Sequence, residues 1–341
     1  MKGGFNMSNQ IKKFDIHHHI IPNEYIETLK ELGIDNSAGL KISSKTIDDS
    51  LKIMDSNGID VAICSISEPV TIPIKDASKA QKLAHRLNEI QKSYIDKYPY
   101  RFGAFAALPL PFIKESIDEI KYALDVLKLD GVGLLSNYGE HFLGDPIFDP
   151  IFEELNKRNA VVFVHPSTPP KDTPRPKFIM ADFVEEFVFN TTRAATNLIL
   201  SGTMERFPNI KIILAHAGGT LPYIKYRIED TFNLAKILNS NGLIKDELIS
   251  NRYNSIKKNI SEYIGNFYYD LALSTHDVTY ESLKLTTNND HILFGSDANY
   301  APPNFSSIAE TSICKYSGFN NDIKDKIFYL NALNLFPRFK K

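Results

Sequence analysis

The sequence predicts an α/β fold, a single (β/α)₈ TIM barrel, and three observations lead to this prediction. Eight short apolar runs recur along the 341 residues, and segments with helical periodicity separate them. No internal repeat and no Gly/Ser-rich linker divides the chain. The length also fits, because one such barrel commonly takes about 250 residues or more. An open, doubly wound sheet shows the same alternation and is the alternative fold.

The predicted strands are short runs of apolar residues. In chain order they cover residues 13–16, 61–65, 102–108, 131–135, 161–164, 211–214, 267–271 and 292–294. The fifth run, Val-Val-Phe-Val, is apolar at every position, which is typical of a parallel strand buried on both faces. Residues 76–97 and 113–127 carry apolar side chains at helical spacing and are predicted to be amphipathic helices. Residues 1–12 are predicted to be a flexible extension, and residues 13–341 to form the barrel domain.

Charge and composition exclude several classes of protein. The 39 Lys and Arg nearly balance the 41 Asp and Glu, so a protein that binds nucleic acid through bulk positive charge is not expected. No apolar run reaches the roughly 18 residues of a membrane span, and the polar N-terminus lacks the apolar core of a signal peptide. The two cysteines, Cys64 and Cys314, give no disulfide framework. We therefore expect a cytoplasmic protein without nucleic-acid or membrane partners.

Residues able to bind a metal or move a proton follow four of the predicted strands. In a barrel of this kind, the loops at the carboxyl ends of the strands form the active site. In chain order these residues are His17, His18 and His19 after the first run, His165 after the fifth, His216 after the sixth and Asp297 after the eighth. The sequence therefore predicts one functional site at that end of the barrel.

The histidines after the first run have the spacing of a metal site. Side chains two residues apart in a strand face the same way, so His17 and His19 converge while His18 points away and is expected to be structural. His165 can supply a third nitrogen and Asp297 an oxygen, which leaves a position for water, as in catalytic zinc sites. A chance run of histidines or the remains of an affinity tag is the alternative. The apolar residues on both sides of the run argue against a tag.

His216 precedes Gly218 and Gly219, which allow the backbone to turn closely at the mouth of a site. Three roles remain open for it: metal ligand, unligated acid or base, or hydrogen-bonded core histidine. The other histidines lack this context. His141 and His276 are expected in loops that could approach the site, His85 on a helix surface and His291 in a loop.

Taken together, these segments resemble the amidohydrolase superfamily, in the branch of 2-amino-3-carboxymuconate-6-semialdehyde decarboxylase. The resemblance runs from about residue 14 to 337, and the 6-methylsalicylate decarboxylase-like members look most similar. The segments that carry it are Asp-Ile-His-His-His-Ile-Ile-Pro at 15–22, Phe-Val-His-Pro at 163–166, Asn-Thr-Thr-Arg-Ala at 190–194, Ala-His-Ala-Gly-Gly at 215–219 and Gly-Ser-Asp at 295–297. The resemblance implies a TIM barrel of the metal-dependent hydrolase type, with small insertions.

The resemblance also implies roles for particular residues. His17, His19, His165 and Asp297 would bind one divalent ion, Zn²⁺ or in some members Mn²⁺, and His216 would be the acid/base or charge-stabilising residue beside it. No lysine follows the fourth or fifth predicted strand, so a carbamylated lysine between two metals is not expected.

Two arginines are the predicted substrate-binding residues. Arg227 matches an arginine that reaches a substrate carboxylate across a dimer interface, so a homodimer or higher homo-oligomer is expected; an exposed helix cation is the alternative. The family's other carboxylate-binding arginine has no counterpart here, and Lys41 is the nearest cation. Arg193 is the substitute candidate, because a guanidinium pairs with a carboxylate through two hydrogen bonds.

The expected activity is metal-dependent, non-oxidative decarboxylation of an aromatic or unsaturated carboxylic acid, with a salicylate-type substrate. No phosphate-binding glycine loop is present, so no nucleotide cofactor is expected. In one version Asp297 or His216 protonates the ring carbon before CO₂ leaves. In another, metal-activated water attacks an unsaturated carbon with His216 as base. Hydrolysis of a lactone, ester or amide with Asp297 as base is the alternative activity, and a metal-binding protein without catalysis is a third possibility.

Overall fold

The computed structural model describes residues 12–340, and its central element is one sheet of eight parallel strands. Apart from Lys12, the predicted N-terminal extension lies outside the described residues, as does residue 341. The strands of the sheet are β1 Phe14–Ile20, β2 Val61–Ile66, β3 Phe102–Ala106, β4 Gly131–Leu135, β5 Val161–His165, β6 Lys211–Leu214, β7 Tyr268–Asp270 and β8 Ile292–Leu293.

Each strand pairs with its neighbours in the chain, in the order β1 to β8. The sheet closes on itself, because Ile16 N donates to Phe294 O at 3.1 Å and Asp297 N donates to His17 O at 2.8 Å. A doubly wound sheet reverses its strand order at a switch point, and this sheet does not. The predicted (β/α)₈ barrel is therefore confirmed, and the open-sheet alternative is wrong.

Helices surround the barrel and connect successive strands. The α-helices of seven residues or more are Asn23–Glu31, Ile47–Ser56, Ala77–Lys97, Ile113–Lys121, Asp149–Lys157, Glu186–Leu200, Leu221–Ser240, Glu247–Ser255, Ile260–Asn266, Asp277–Lys284 and Phe305–Lys315. Shorter α-helices are Thr203–Arg206, Asn321–Asp325 and Asn331–Leu335, and two small hairpins pair Asn36–Ser37 with Leu40–Lys41 and Asn137–Tyr138 with His141–Phe142. None of the described helices has the length and apolar character that crossing a bilayer requires.

All eight predicted runs contain strands, and the largest difference in bounds is at the first. The run was predicted to end at residue 16, but β1 continues to Ile20, so the three histidines lie within the strand. Buried imidazoles are tolerated in this strand because each has a polar partner. The sequence shows only the change from apolar to polar residues, so the predicted strand ended too early. The predicted helix 113–127 begins as expected and changes to a π-helical turn at Tyr122–Val126.

The amino-terminal end of the barrel is filled by aromatic side chains. Phe14 at the start of β1 stacks on Phe336 with ring centroids 5.8 Å apart and meets Phe339 edge-on at 5.2 Å. Further along the interior, the Phe163 ring lies against the His17 ring, with centroids 4.9 Å apart. The polar site therefore rests on an apolar, close-packed floor, as barrel interiors generally provide.

Candidate metal centre

Four of the predicted residues meet at the carboxyl end of the barrel. His17, His19, His165 and Asp297 each offer one ligand atom, and these atoms all lie within 4.8 Å of one another. We call these four residues the candidate metal-ligand group, or the four-residue group. The two β1 nitrogens, His17 Nε2 and His19 Nε2, are 3.0 Å apart. Asp297 Oδ1 is 3.1 Å from His19 Nε2 and 3.4 Å from His17 Nε2. This arrangement supplies the three nitrogens and one oxygen that the sequence predicted.

An irregularity in β1 lies next to this group. Asp15 pairs with Ala62 and His18 with Cys64, so the first strand has one residue more than its neighbour over this stretch. Bulges of this kind change the direction of side chains and are common beside active sites. The rings of His17 and His19 meet edge-on with centroids 4.9 Å apart, as their spacing predicted.

His18 takes a different role from the histidines on either side of it. The residue is completely buried, and its Nδ1 lies 3.0 Å from Asp15 Oδ2. Asp15 also accepts from Ser296, through the backbone N at 2.9 Å and the hydroxyl at 2.5 Å. His18 and Asp15 thus belong to the seam between β1 and the segment after β8, which is the structural role expected of His18.

In His17, His19 and His165, the hydrogen bond at Nδ1 indicates that Nε2 is the nitrogen available to a metal. His17 Nδ1 lies 2.8 Å from Asp270 Oδ2, and His165 Nδ1 lies 2.7 Å from Pro166 O. Both partners accept, so each Nδ1 carries a proton and each Nε2 is the nitrogen left for a metal. His19 Nδ1 lies 3.2 Å from Ser65 Oγ. Imidazole lone pairs directed at one point, with a carboxylate beside them, are the donor set of a divalent metal, so the residues present fit such an ion.

The protonation states reflect two carboxylates that face these imidazoles. Burial opposes the protonation of His17, but the charges of Asp270 and Asp297 outweigh it and raise its pKa to about 10. Burial and neighbouring histidines hold the pKa of His165 well below its ordinary value, and burial also lowers the pKa of His19. Burial would raise the pKa of Asp297, but His17 chiefly holds it well below its usual range. The metal-free protein thus presents neutral imidazoles at His19 and His165, an ionised Asp297 and a proton on His17 that a bound cation would displace.

Asp270 is a site residue that the sequence analysis did not identify. It is completely buried at the end of β7, and its Oδ1 accepts from the backbone N of His216 and of Ala272, both at 2.9 Å. The same carboxylate holds His17 through Oδ2. An acidic residue inside the apolar run 267–271 was the available signal, because a carboxylate is rarely buried without a partner.

His216 lies beside the four-residue group and is not one of its members. Its Nε2 is 3.5 Å from Asp297 Oδ2, is buried and has no hydrogen-bond partner among the described residues. His216 and Asp297 both have left-handed backbones, with φ of 54° and 53°. Such conformations cost about 1–3 kcal/mol for residues other than glycine and concentrate at functional sites. Gly219 permits the turn that follows, since a Cβ there would lie 2.1 Å from Val188 O.

A cavity of about 440 Å³ opens above the metal-ligand group. Its walls are mainly apolar, with Leu40, Phe183, Val184, Phe187, Leu273 and Pro302, and its polar residues besides the histidines and Asp297 include Ser37, Ser67, Glu68, Ser274 and Tyr300. Burial raises the pKa of Tyr300 to about 12, so its phenol is neutral. The volume and the apolar lining are those of a small-molecule site.

The two arginines predicted to bind substrate do not line this cavity in their own chain. Arg193 has a side chain 49% exposed and donates from one guanidinium nitrogen to Asn190 Oδ1 at 2.6 Å. Arg227 is exposed on the outer side of the helix Leu221–Ser240. Both roles remain predictions.

The remaining histidines lie away from the metal-ligand group. His85 contacts Glu119 and stacks on Tyr122. The other three are His141, which pairs with Asp145, His276, which is exposed before a helix, and His291, which stacks on Tyr268. The two loop histidines that were predicted to be possible neighbours of the site, His141 and His276, therefore do not join it.

Comparisons with known proteins agree over almost the whole chain. The Amidohydrolase family model matches residues 14–338. The chain is 33% identical over 336 residues to the 6-methylsalicylic acid decarboxylase acuB of Aspergillus aculeatus, with 96% of this chain and 97% of that protein covered. It is 34% identical over 338 residues to the 6-methylsalicylic acid decarboxylase of Penicillium expansum, with 96% and 97% covered.

A solved structure shows the same fold. The 5-carboxyvanillate decarboxylase of Novosphingobium aromaticivorans, complexed with manganese and 4-hydroxy-3-methoxy-5-nitrobenzoic acid, superposes with a TM-score of 0.81 at 20% identity. The match covers 96% of each chain. At this identity the likeness concerns the fold alone.

Proposed function

The chain belongs to the amidohydrolase family, and from this premise we propose that it is a metal-dependent, non-oxidative decarboxylase of a salicylate-type aromatic acid. The observation that carries the proposal is the convergence of three imidazoles and Asp297 at the floor of an apolar cavity, with His216 beside them. The relatives that match nearly the whole chain are decarboxylases, which favours this activity over hydrolysis of a lactone, ester or amide.

We propose one Zn²⁺ or Mn²⁺ ion at His17, His19, His165 and Asp297. Imidazole and carboxylate ligands suit both metals, and manganese is present in the related 5-carboxyvanillate decarboxylase. When bound, the ion supplies the positive charge that attracts a carboxylate and stabilises negative charge on the oxygens near it. Asp270 keeps His17 oriented for this role through its hydrogen bond at 2.8 Å.

We assign the transfer of a proton to the substrate to Asp297 and His216. Asp297 Oδ1 faces His17 and His19, whereas Oδ2 faces His216 Nε2 at 3.5 Å. A proton carried by Asp297 Oδ2 or by His216 Nε2 would be at the floor of the cavity, where the ring carbon bearing the carboxylate would lie. Its transfer to that carbon interrupts the aromatic system. The bond to the carboxylate then breaks, its electron pair returns to the ring, and CO₂ leaves.

The apolar walls account for the rest of the substrate. Phe183, Phe187 and Leu273 offer surface for an aromatic ring and a small alkyl substituent. We therefore expect an ortho-hydroxybenzoate with its carboxylate toward the metal-ligand group and its substituent against these walls.

A direct test compares decarboxylation with hydrolysis in one experiment. The metal-depleted protein is reloaded with Zn²⁺ or Mn²⁺ and incubated with salicylate, 6-methylsalicylate, a lactone and an aryl amide. We expect CO₂ and a phenol in equal amounts from a salicylate and no acid from the lactone or amide. Acid release without CO₂ would reverse the assignment.

We also propose that the working unit is a homodimer. The helix Leu221–Ser240 exposes a row of large apolar side chains, with Tyr223 88%, Tyr226 63%, Leu234 56% and Ile237 58% accessible. Such a patch on a monomer is unusual and is typical of an interface. Arg227 lies on this helix, so a second copy packed here would bring Arg227 toward the first copy's cavity, as its expected role requires.

A cytoplasmic location is proposed from the chemistry of the cysteines. Cys64 is buried and Cys314 is exposed, and both are free thiols. Proteins of oxidising compartments usually pair their cysteines, so two unpaired thiols suit a reducing compartment.

A further inference from the structure

Among the described residues that line the cavity, Glu68 is the one carboxylate side chain apart from Asp297 at the floor. It is 5% exposed and follows the carboxyl end of β2. No lysine or arginine is present among the described residues that line the cavity. The proposed chemistry at the floor does not use Glu68, and no pattern in the amino-acid sequence singles it out.

Both oxygens of Glu68 are occupied by protein donors. Oε1 accepts from Ser37 Oγ at 2.7 Å and from Thr168 Oγ1 at 2.8 Å. Oε2 accepts from Ser167 Oγ and from Thr168 N, both at 2.7 Å. A carboxylate only accepts hydrogen bonds, so this part of the wall presents negative charge to a ligand and no donor.

A carboxylate of the substrate should therefore bind favourably at the floor of the cavity and unfavourably beside Glu68 in the wall. The floor offers the metal-ligand group, which suits one carboxylate. A second carboxylate on the ring would meet the like charge of Glu68, and the lining holds no cation to pair with it. In the proposed dimer, Arg227 of a neighbour would pair with the first carboxylate and would leave the second without a partner. At about 6 Å and an effective dielectric of about 20, two like charges weaken binding on the order of 100-fold.

We propose that Glu68 is a specificity-determining residue that restricts the site to aromatic acids carrying a single carboxylate, with neutral substituents on the rest of the ring. This inference rests on the proposed function, because it assumes that the first carboxylate binds at the metal-ligand group. It narrows the substrate class to monocarboxylic acids bearing hydroxyl or alkyl groups.

A structural role for Glu68 has a distinct signature. Its partners are Ser37, in the hairpin strand Asn36–Ser37, and Ser167 and Thr168, in the loop after β5, so the side chain also joins these two segments to its own loop. If selectivity depended on the rigidity of these loops, loss of the hydroxyl donors would alter it as much as loss of the charge. The variants Glu68→Gln and Ser37→Ala separate the two roles, since the first removes the charge and the second removes only a donor.

The test compares a carboxylate with a nitro group, which is planar and of similar size but neutral. Binding of salicylates with either group at ring position 3, 4 or 5 is measured by calorimetry on the Zn²⁺-loaded protein, which needs no turnover. At the position nearest Glu68 we expect the carboxylate to bind about 100-fold more weakly than the nitro group. In Glu68→Gln this ratio should fall below about 10-fold, while Ser37→Ala and the remote control Glu31→Gln keep the wild-type ratio.

Each outcome has a definite meaning. Equal binding of the nitro and carboxylate acids to the wild-type protein overturns the inference, whether or not Glu68→Gln folds. An unchanged ratio in a folded Glu68→Gln protein, or an equal loss of selectivity in Ser37→Ala, overturns the role of the charge. If no salicylate binds the metal-loaded protein at all, the proposed function fails and this inference fails with it.

Discussion

Asp270 Oδ2 lies 2.8 Å from His17 Nδ1, and the other oxygen of the same buried carboxylate accepts from the backbone of His216. One side chain therefore orients a metal-ligand candidate on β1 and the proton-transfer candidate after β6. Asp270 has no exposed surface, and its Oδ1 also accepts from the backbone N of Ala272 at 2.9 Å. The proposed metal-ligand group and the proposed acid/base histidine, His216, are therefore linked through one side chain.

Replacing Asp270 with Asn should weaken metal binding by about 10- to 100-fold, because an amide holds the His17 ring and its tautomer less firmly. Competition with a chelator of known affinity measures the change. Asp145→Asn is the matched control, since Asp145 contacts only the exposed His141 among the histidines of the chain. Equal metal affinity in the Asp270→Asn variant and the wild-type protein would show that His17 does not need the Asp270 carboxylate in order to bind the metal.

Replacing His17 with Ala should remove metal and activity together. The variant loses one nitrogen of the ligand set and leaves Asp270 and Asp297 without their common partner. Metal content by mass spectrometry and CO₂ release measure the two effects on the same sample. His276→Ala, at an exposed position, should leave both unchanged. A fully active protein without metal contradicts the metal-dependent mechanism.

Replacing His216 with Asn should preserve near-stoichiometric metal but lower the rate by about 10²–10⁴, the usual contribution of general acid–base catalysis. The basis is the position of Nε2, 3.5 Å from Asp297 and outside the four-residue group. Metal analysis and turnover distinguish the alternatives. Loss of metal would make His216 a ligand, and full turnover would assign the proton to Asp297 or to water.

Metal uptake should release a proton and become tighter as the pH rises. The pKa of His17 is raised from 6.5 to about 10, so the metal-free protein keeps a proton there that an ion must displace. The stability that this proton confers on the metal-free protein is fully present below pH 6.5 and is lost as the pH rises through about 10. Calorimetry at pH 8 in buffers of different ionisation enthalpy should give about one proton released. A value of zero contradicts the protonated state of His17.

Replacing Ile237 with Glu should dissociate the proposed homodimer, because it places a charge in the exposed apolar row of the helix Leu221–Ser240. Sedimentation at nanomolar concentration gives the oligomeric state, and activity under the same conditions tests whether Arg227 completes a neighbour's cavity. Val126→Glu is the control, at an apolar position 65% exposed on another helix. A wild-type monomer with full activity at this dilution refutes the dimer as the working unit.

The barrel could be predicted because its strands are continuous apolar runs. The end of β5 shows why the candidate metal-ligand group could also be predicted from the sequence. His165 directly follows Val-Val-Phe-Val, so the local sequence indicates its position at the carboxyl end of the strand. The same reasoning placed His17 and His19, since alternation along a strand is a local property.

The residues that sequence analysis missed depend on distant contacts. Asp270 lies inside an apolar run, and its partner His17 is 253 positions away in the chain. Glu68 belongs to a loop, and its contacts with Ser167 and Thr168 span 99 and 100 positions. Local patterns carry no information about such pairs. The substrate-binding role predicted for Arg193 stays a prediction, since in its own chain the side chain is turned to Asn190 and solvent.

Closure of the barrel sets an order of events during the synthesis of this protein. Asp297 N donates to His17 O, so the metal-ligand group joins the beginning of the chain to a residue 280 positions later. A ribosome that releases the chain from its amino terminus exposes β1 long before its last partner is made. The histidines of β1 therefore lack Asp297 until that residue has been translated, and we expect the proposed ion to be acquired only after that point.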